Sequence, residues 1–542
     1  MAALTSLLSV ESVKIDQARS SIPDLEFATT DGIHYTRRLH GKERLSGVTT
    51  DYGEGLGQQM GLADVRLKQV LSREELAAHI KAAWIHLRFS APWIAYRCKS
   101  LNSSEPNSFY FEYKKSSKPD EAEAWADETI VWRTESLSFR EWEPMIKQNH
   151  WKTGSGHFGV EMHIAKGQEP NQWFFMPSCP HSTTDGKGLF SITDRFLRNF
   201  QEELQGGVLL YRNLPWGEEI SRLVPNAALI VPNVGANDML AAPQKPAEPV
   251  QFQRFLRKER EVAGPDEISH SIRLSPEQTK AVMVNCKKYR ASLTAVVNSI
   301  LVLAEIETSL QLAADASPDE YARIIESFRT SDVFTLGVNI ADMRSHVYPK
   351  HAKALGGVTT GGSVNISFPT HHTMNHVRRC VQVGPDGKMT RNLSGHGFWD
   401  GLVPETQNGL KVGGRQPPHA YHVAAQMAEA VCPQIKRNPV SNQCVMASSL
   451  GSVERLGIFT PFSPLYVSEY PNSLFQIHDW IFGISSTNCP AMVAHTWEYN
   501  GRLMIHLQGS SRWQTEKSFK AYAEAVRARA EQISISSARA TL

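Results

Sequence analysis

Apolar and polar positions run along the chain with two periods, and the change from one period to the other marks its elements. The clearest change lies at Gln172-Trp-Phe-Phe-Met-Pro-Ser-Cys-Pro-His181-Ser-Thr-Thr-Asp185-Gly186-Lys-Gly188. The aromatic run Trp173–Met176 predicts a strand that Pro177 stops. After Gly188, the apolar set Leu189, Ile192, Phe196, Leu197, Phe200 and Leu204 recurs every three or four residues and predicts a helix. Between them lies a polar corner, kept open by Gly186 and Gly188, which allow close approach of a second chain or a ligand.

Residues 1–60 carry no firm period, and His34–Arg44 offers at most a short strand and turn. Ser72-Arg-Glu-Glu75 is a capping box opening a helix whose inner face is Leu76, Ile80, Ala83, Trp84 and Leu87, with Pro92 ending it. Strands are predicted at Phe109–Tyr113, Ile130–Thr134 and Phe158–Ala165, the last with Val160, Met162 and Ile164 on one side. The three prolines of Ala241–Pro249 mark a linker. The expected division is therefore residues 1–236, a crossover at 237–265, and residues 266–542.

The second half opens with an alternating strand, Ser269–Leu274, and a helix capped by Ser275 with Pro276 in its first turn. After a break at Tyr289–Ser292 comes a helix from Leu293 to Leu303, apolar nearly all round and so buried. Phe334–Ala341 is a strand delivering Asp342-Met-Arg344, and Ser363–Phe368 is another, entered through Gly356–Gly362. Residues 385–418 read as a long Gly/Pro/Asn-rich excursion, and a helix from His419 to Val431 returns to the core. Strands at Cys444–Ser449, Gln476–Ile484, Ala491–Tyr499 and Arg502–Gln508 follow, the last two joined by an Asn500-Gly501 type I′ turn. An amphipathic helix, Thr515–Ile533, turns Phe519, Tyr522, Ala523 and Val526 inward. The fold class is α/β.

Composition narrows the function. At 542 residues the chain exceeds one core. Its 57 Lys+Arg against 55 Asp+Glu leave a charge of +2, without the basic excess of a nucleic-acid binder. Seven cysteines (Cys98, Cys179, Cys286, Cys380, Cys432, Cys444 and Cys489), none in a C-x-x-C pair, predict reduced thiols and a cytoplasmic protein. The N-terminus lacks a basic region before its short apolar run, so no signal peptide is predicted. No stretch approaches eighteen apolar residues, and no membrane span is expected.

The candidate chemistry sits at the polar corner. An imidazole is the side chain that takes and returns a proton near neutral pH, and His181 at the mouth of a turn could deprotonate an attacking hydroxyl, thiol or amine. Taken alone, H-x-x-x-D-G also fits a loop histidine beside a surface aspartate. Other signals are set aside. His371, His372, His376 and Cys380 include i, i+4 spacings but lie in a polar run, read as a solvated loop or helix rather than a metal site. His157 and His163 flank Glu161, His163 reading as a partly buried structural residue. Gly356–Gly362 lacks the G-K-[ST] of a phosphate loop, and neither a G-x-G-x-x-G nor a nucleophile elbow occurs.

In order, the chain has an H-x-x-x-D-G corner at His181–Gly186, then Leu274-Ser-Pro-Glu-Gln-Thr-Lys280 and Cys286-Lys-Lys-Tyr-Arg-Ala-Ser-Leu-Thr-Ala295. Val338-Asn-Ile-Ala-Asp-Met-Arg344, Ser448-Ser-Leu-Gly451 and a C-terminal hairpin plus helix follow. This succession resembles the CoA-dependent acyltransferase superfamily of H-x-x-x-D acyltransferases, chloramphenicol and carnitine acyltransferases and condensation domains. Within it the chain looks most like the fungal trichothecene 15-O-acetyltransferase type. The resemblance implies two similar chloramphenicol-acetyltransferase-like domains, each a mixed sheet flanked by helices, with a tunnel between them. It implies that His181 is the general base, that Asp185 points away from substrate and pairs with Arg344, and that Gly186 keeps the acceptor channel clear. Acetyl-CoA or another acyl-CoA would be the co-substrate, with no bound cofactor or metal, and a hydroxylated small molecule the acceptor of a monomeric enzyme. Ser448, Ser363 and Asn365 are the candidates for an oxyanion or substrate contact, each equally readable as a hydroxyl or amide satisfying its neighbours. Plant members carry D-F-G-W-G where this chain has Asp479-Trp-Ile-Phe-Gly483. Condensation domains carry a second histidine where Pro180 stands, which tilts the expectation towards O-acyl transfer. The alternative is a condensation-type enzyme or cyclase using the same tunnel without CoA.

Overall fold

A computed structural model describes residues 24–101, 107–206, 210–236, 249–263, 266–348, 363–384, 388–393, 397–435 and 443–535. Two mixed sheets organise them, each flanked by helices. The first half supplies β1 (His34–Arg38), α1 (Lys42–Tyr52), β2 (Gln58–Leu67), α2 (Arg73–Ser90), β3 (Arg97–Ser100), β4 (Phe109–Lys114) and α3 (Pro119–Thr129). It continues with β5 (Ile130–Trp132), α4 (Trp142–Gln148), β6 (Ser155–Phe158), β7 (Glu161–Lys166), β8 (Gln172–Pro180) and α5 (Gly186–Gly206). The second half supplies β9 (Glu267–Arg273), α6 (Pro276–Lys288), α7 (Leu293–Ala316), α8 (Pro318–Thr330), β10 (Val333–Asp342), β11 (Asn365–Thr373) and the small hairpin β12 (Val381–Val383) and β13 (Met389–Arg391). Then come α9 (Val403–Gly414), α10 (His419–Val431), β14 (Val445–Ser452), β15 (Phe475–Ile484), β16 (Met492–Tyr499), β17 (Arg502–Ser510) and α11 (Glu516–Ile535).

The first sheet runs β15-β2-β8-β7-β5 and the second β11-β10-β14-β16-β17-β9, with an antiparallel sheet β1-β4-β3-β6 beside the first. Strand β15 lies in the second half of the sequence yet pairs antiparallel with β2 of the first. The second half thus completes the first sheet, so the two halves are interlocked. Helices α2 and α5 pack on the first sheet, and α7 lies under α8, α9 and α11 in the second core. Although long and apolar enough to cross a membrane by composition, α7 is 89% buried within the protein over its most apolar window.

Local signals act where the sequence has them. Ser72 and Glu75 form both bonds of the capping box, and Ser275 does the same with Gln278. Asn500 and Gly501 both have positive φ, as the type I′ turn between β16 and β17 requires.

Several expectations are corrected. Pro177 does not stop β8, which runs on to Pro180. Opposite Pro177 the β2–β8 ladder has no pair at Gly61 or Leu62, so the missing donor falls in a gap of the pairing. Residues 1–60 are not irregular throughout: they contain β1, α1 and the start of the inner strand β2. The single strand expected at Phe158–Ala165 is two, β6 and β7, parted where the Gly159 amide turns to the Tyr96 carbonyl. Within 385–418, Phe398–Gly414 is helical. Ser363 precedes β11 instead of lying in it, and His371 and His372 are on that strand rather than in a solvated loop. Of the expected crossover, residues 237–248 lie outside the described residues; further on, Phe252 is buried and its amide bonds the Val333 carbonyl.

Candidate active site

Strand β8 ends at Pro180, and its neighbour β2 holds the corner that follows. The His181 amide donates to the Gly57 carbonyl at 3.1 Å, and Gln59 Nε2 donates to the Thr184 carbonyl at 2.6 Å. Gly57 has φ +84°, and a Cβ there would press on that of His181 at 3.4 Å. The His181 ring reaches across to the second half, Nδ1 lying 3.1 Å from Ser363 Oγ. That hydroxyl is also placed to donate to the His181 carbonyl at 3.4 Å. With its proton so directed, Ser363 Oγ accepts from Nδ1–H, and Nε2, then carrying the lone pair, has no hydrogen-bond partner among the described residues. Burial holds the imidazole below its ordinary pKa, Asp185 opposing this and Lys42 adding to it. At neutral pH the His181 imidazole is therefore uncharged.

Asp185, though it lines the same cavity as His181, spends its carboxylate on other partners. It makes no hydrogen bond to His181 among the described residues. Its Oδ1 accepts from Arg344 Nη2 at 2.7 Å and from the Gly188 amide at 3.0 Å, and its Oδ2 accepts from Asn365 Nδ2 at 2.9 Å. Burial raises its pKa, but Arg344 and these donors outweigh burial and bring it to about 2. Arg344 opens a 3₁₀ turn after β10 and also holds Asp342 at 3.0 Å. The carboxylate thus pins the first half to the second. Lys42 closes the cluster, its ammonium 2.8 Å from Asn365 Oδ1, and burial pulls its pKa down to about 8.

The glycines of the corner are spacers. A Cβ on Gly186 would come within 2.8 Å of Phe482 Cζ, and one on Gly188 within 1.9 Å of Thr184 Oγ1. Gly186 also lines the cavity that holds His181, and the seat of Phe482 on β15 is a further, local need for its missing side chain.

His181, Asp185, Gly186, Arg344, Asn365 and Ser448 all line one cavity of about 350 Å³ between the two sheets. Its walls are mainly apolar, with Val338, Ile340, Met446, Leu450, Phe482 and Val493. Ser363 reaches the site through His181 rather than by lining the cavity. Ser363 and Asn365 are committed to His181 and Asp185, whereas Ser448 on β14 faces the cavity. A second cavity, of about 410 Å³, shares Thr294, Ile340, Ala447 and Ser449 with the first and is lined further by Ser292, Asn298, Asn339, Gln407 and Lys411. The two cavities adjoin through these shared residues, and the second sets its polar side chains beside apolar ones, Phe368 and Leu410.

The candidates set aside fall elsewhere. His157 and His163 both face Glu161, at 3.3 and 3.1 Å, and line no part of the cavity. His372 is buried between Thr370 and Thr406, while His376 meets Glu405. No group of three metal-binding side chains occurs among the described residues. Asp479 pairs with Arg273, and Phe482 of the same segment lines the cavity.

Three residues at the site carry no motif in the sequence: Lys42 and Gln59, which sit in the stretch without a period, and His495, which lines the cavity from β16. Its signal was legible: a histidine within the apolar run Met492–Tyr499, matched by His506 in the run that follows the turn.

No protein-family model matches the chain, and no curated protein matches it in sequence. Solved structures do match. One is the TRI3 trichothecene 15-O-acetyltransferase of Fusarium sporotrichioides, at TM-score 0.69 and 12% identity over 94% of this chain and 97% of that one. A second is the condensation domain of the monacolin K polyketide synthase MokA, at TM-score 0.54 and 11% identity over 94% and 98%. A third is a point mutant of the starter condensation domain of the rhizomide synthetase RzmA, solved with C8-CoA, at TM-score 0.53 and 11% identity over 92% and 94%. The fold is therefore the one that CoA-dependent acyltransferases share with condensation domains. TRI3, the acetyltransferase among these three, overlies the chain with the highest TM-score of them.

Proposed function

We propose that this protein is an acyl-CoA-dependent O-acyltransferase that moves an acetyl or other acyl group to a hydroxyl of a lipophilic secondary metabolite, a sesquiterpenoid such as a trichothecene. The observation that carries this reading is the neutral His181 in the apolar cavity, with Nδ1 held by Ser363 and Nε2 free. In the reaction Nε2 takes the proton of the acceptor hydroxyl as its oxygen attacks the thioester carbon. The carbonyl electrons move to oxygen, giving a tetrahedral oxyanion for which Ser448 is the candidate donor. Collapse breaks the C–S bond, and the thiolate takes the proton back from His181. No acyl-enzyme is formed.

Asp185 and Arg344 serve as structure, fixing the corner without relaying charge. The hydroxyl and amide side chains of the second cavity suit the amides of a pantetheine arm, and the apolar walls of the first a lipophilic acceptor. We also infer a monomer, and a cytoplasmic location that seven buried free thiols support. The test is release of free thiol from acetyl-CoA with a panel of hydroxylated terpenoids and polyketides, for wild type and His181→Ala. Release that needs an acceptor and disappears in the variant supports transfer. Product change without thiol release would favour a condensation or cyclase reaction in the same cavity.

A further inference from the structure

Strands β16 and β17 carry histidines at directly opposed positions, His495 and His506, on one face of the second sheet. His506 is fully engaged: Nδ1 lies 2.8 Å from Ser271 Oγ and Nε2 2.7 Å from Glu143 Oε1. His495 is not. It is 3% exposed, and neither ring nitrogen has a hydrogen-bond partner among the described residues. Its ring stands nearly perpendicular to that of Phe482, with centroids 4.9 Å apart, and it lines the His181 cavity. On its other side, β16 runs parallel to β14 with His495 directly paired to Ser448. Paired residues project from the same sheet face, so this hydroxyl and this imidazole are neighbours on one wall.

A buried imidazole with both nitrogens unmet is a standing cost that a ligand in the cavity would remove. Protonation is not the remedy. Burial is the main cause that keeps His495 neutral, and His506, Lys147 and His181 reinforce it against the weaker pull of Glu143. A neutral imidazole still carries one N–H, and such a donor polarises a carbonyl without surrendering its proton. Of the residues expected to act as oxyanion donors, Ser363 and Asn365 are occupied. Ser448 alone would give one donor.

We propose that His495 donates an N–H hydrogen bond to the acyl carbonyl oxygen and forms, with Ser448, a two-donor oxyanion site in the cavity that holds His181. This rests on the acyl-transfer reading. As the acceptor oxygen adds to the carbonyl carbon, the π pair moves to the oxygen held by His495 and Ser448. Both donors keep their protons. On collapse the pair returns, the C–S bond breaks, and the proton on His181 goes to the thiolate.

The test uses His495→Phe, which keeps a ring of similar size without a donor, and His495→Gln, which keeps an N–H but cannot act as an imidazole base. Acyl-CoA affinity is measured by calorimetry, steady-state kcat and KM with a working acceptor, and the carbonyl stretch of bound carbonyl-labelled acyl-CoA by difference infrared spectroscopy. His495→Phe is expected to lose about 100- to 1000-fold in kcat, with KM and acyl-CoA affinity within a few-fold of wild type. Its bound carbonyl stretch moves to higher frequency, and His495→Gln recovers much of both. The infrared reading comes only from folded, ligand-bound protein, so it decides the matter even where a variant is less stable. Wild-type kcat and an unshifted carbonyl in His495→Phe overturn the inference alone. His495→Gln as inactive as His495→Phe, with a wild-type carbonyl stretch in both, overturns it in favour of a proton carrier. Wild type that binds no acyl-CoA overturns the transferase reading, and this inference with it.

Discussion

Replacing Asp185 with asparagine separates a structural carboxylate from a catalytic one. The side chain keeps its shape but loses its charge, and one oxygen becomes an NH2 group. If the amide oxygen stays on Arg344 and Gly188, the new NH2 faces the NH2 of Asn365, donor against donor. Turning Asn365 over would relieve that clash but set its NH2 against the Lys42 ammonium. No arrangement satisfies all four groups. The lost charge pairing corresponds to the fall of the Asp185 pKa from 3.8 to about 2, roughly 2 kcal/mol at about 1.4 kcal/mol per pKa unit. One unmet buried donor adds about 1–3 kcal/mol. The sum, about 3–5 kcal/mol, is the usual cost of breaking a buried pair, moderated by the bond Arg344 keeps to Asp342.

Thermal and urea unfolding at neutral pH should therefore show a drop in Tm on the order of 5 °C or more. Because the folded-state pKa of Asp185 is depressed, its stabilisation is present above pH 3.8 and lost as pH falls towards 2, so the gap between wild type and variant closes in that window. Asp185 also supports the protonated form of His181, so its neutralisation should move the acid limb of kcat/KM to lower pH. Unchanged stability and an unmoved acid limb, with activity abolished, would refute the structural assignment and place Asp185 in the chemistry.

Other outcomes follow from the same contacts. Wild-type kcat/KM should rise with pH through a pKa below 6.5 and stay level through neutrality, since His181 must be neutral to accept a proton and burial depresses its pKa; a pH–rate profile checks this. Lys42→Met should shift that acid limb upward, opposite in sign to Asp185→Asn, because the Lys42 ammonium opposes protonation of His181. Gly186→Ala places a methyl 2.8 Å from Phe482 Cζ and should cost about 1–3 kcal/mol, with stability regained in a Gly186→Ala/Phe482→Leu double variant. Gly188→Ala sets its methyl against Thr184 Oγ1 and should destabilise, although alanine favours a helix, as urea unfolding would show.

What the sequence disclosed and what it concealed have physical reasons. The corner was legible because a strand, a turn and a helix meet there within a short span, each with its own period. Capping boxes at Ser72 and Ser275 and the Asn500-Gly501 turn were legible because they satisfy their own backbone groups locally. Strand β2 was not legible: it is nearly all buried between β15 and β8, so its residues need not alternate, and Gln58, Gln59 and Arg66 break up its apolar run. Nor could the sequence show that β15 crosses to the first sheet, because its partner β2 lies far away in the chain and the pairing depends on the whole fold. Phe482 and His495 enter the cavity only through that crossing and the β14–β16 register. Residues on Asp185 were half legible: Arg344 followed from resemblance, while Asn365, offered as an oxyanion donor, serves the carboxylate instead.

Direct acyl transfer with His181 as base is tested by rapid-mixing thiol release from acetyl-CoA combined with intact-protein mass. Without acceptor, no burst of thiol and no acetyl adduct are expected; with a productive acceptor, wild type releases thiol and His181→Ala releases none above background. A burst equal to the protein concentration without acceptor, with an acetyl group on the chain, or undiminished release in His181→Ala, would contradict it.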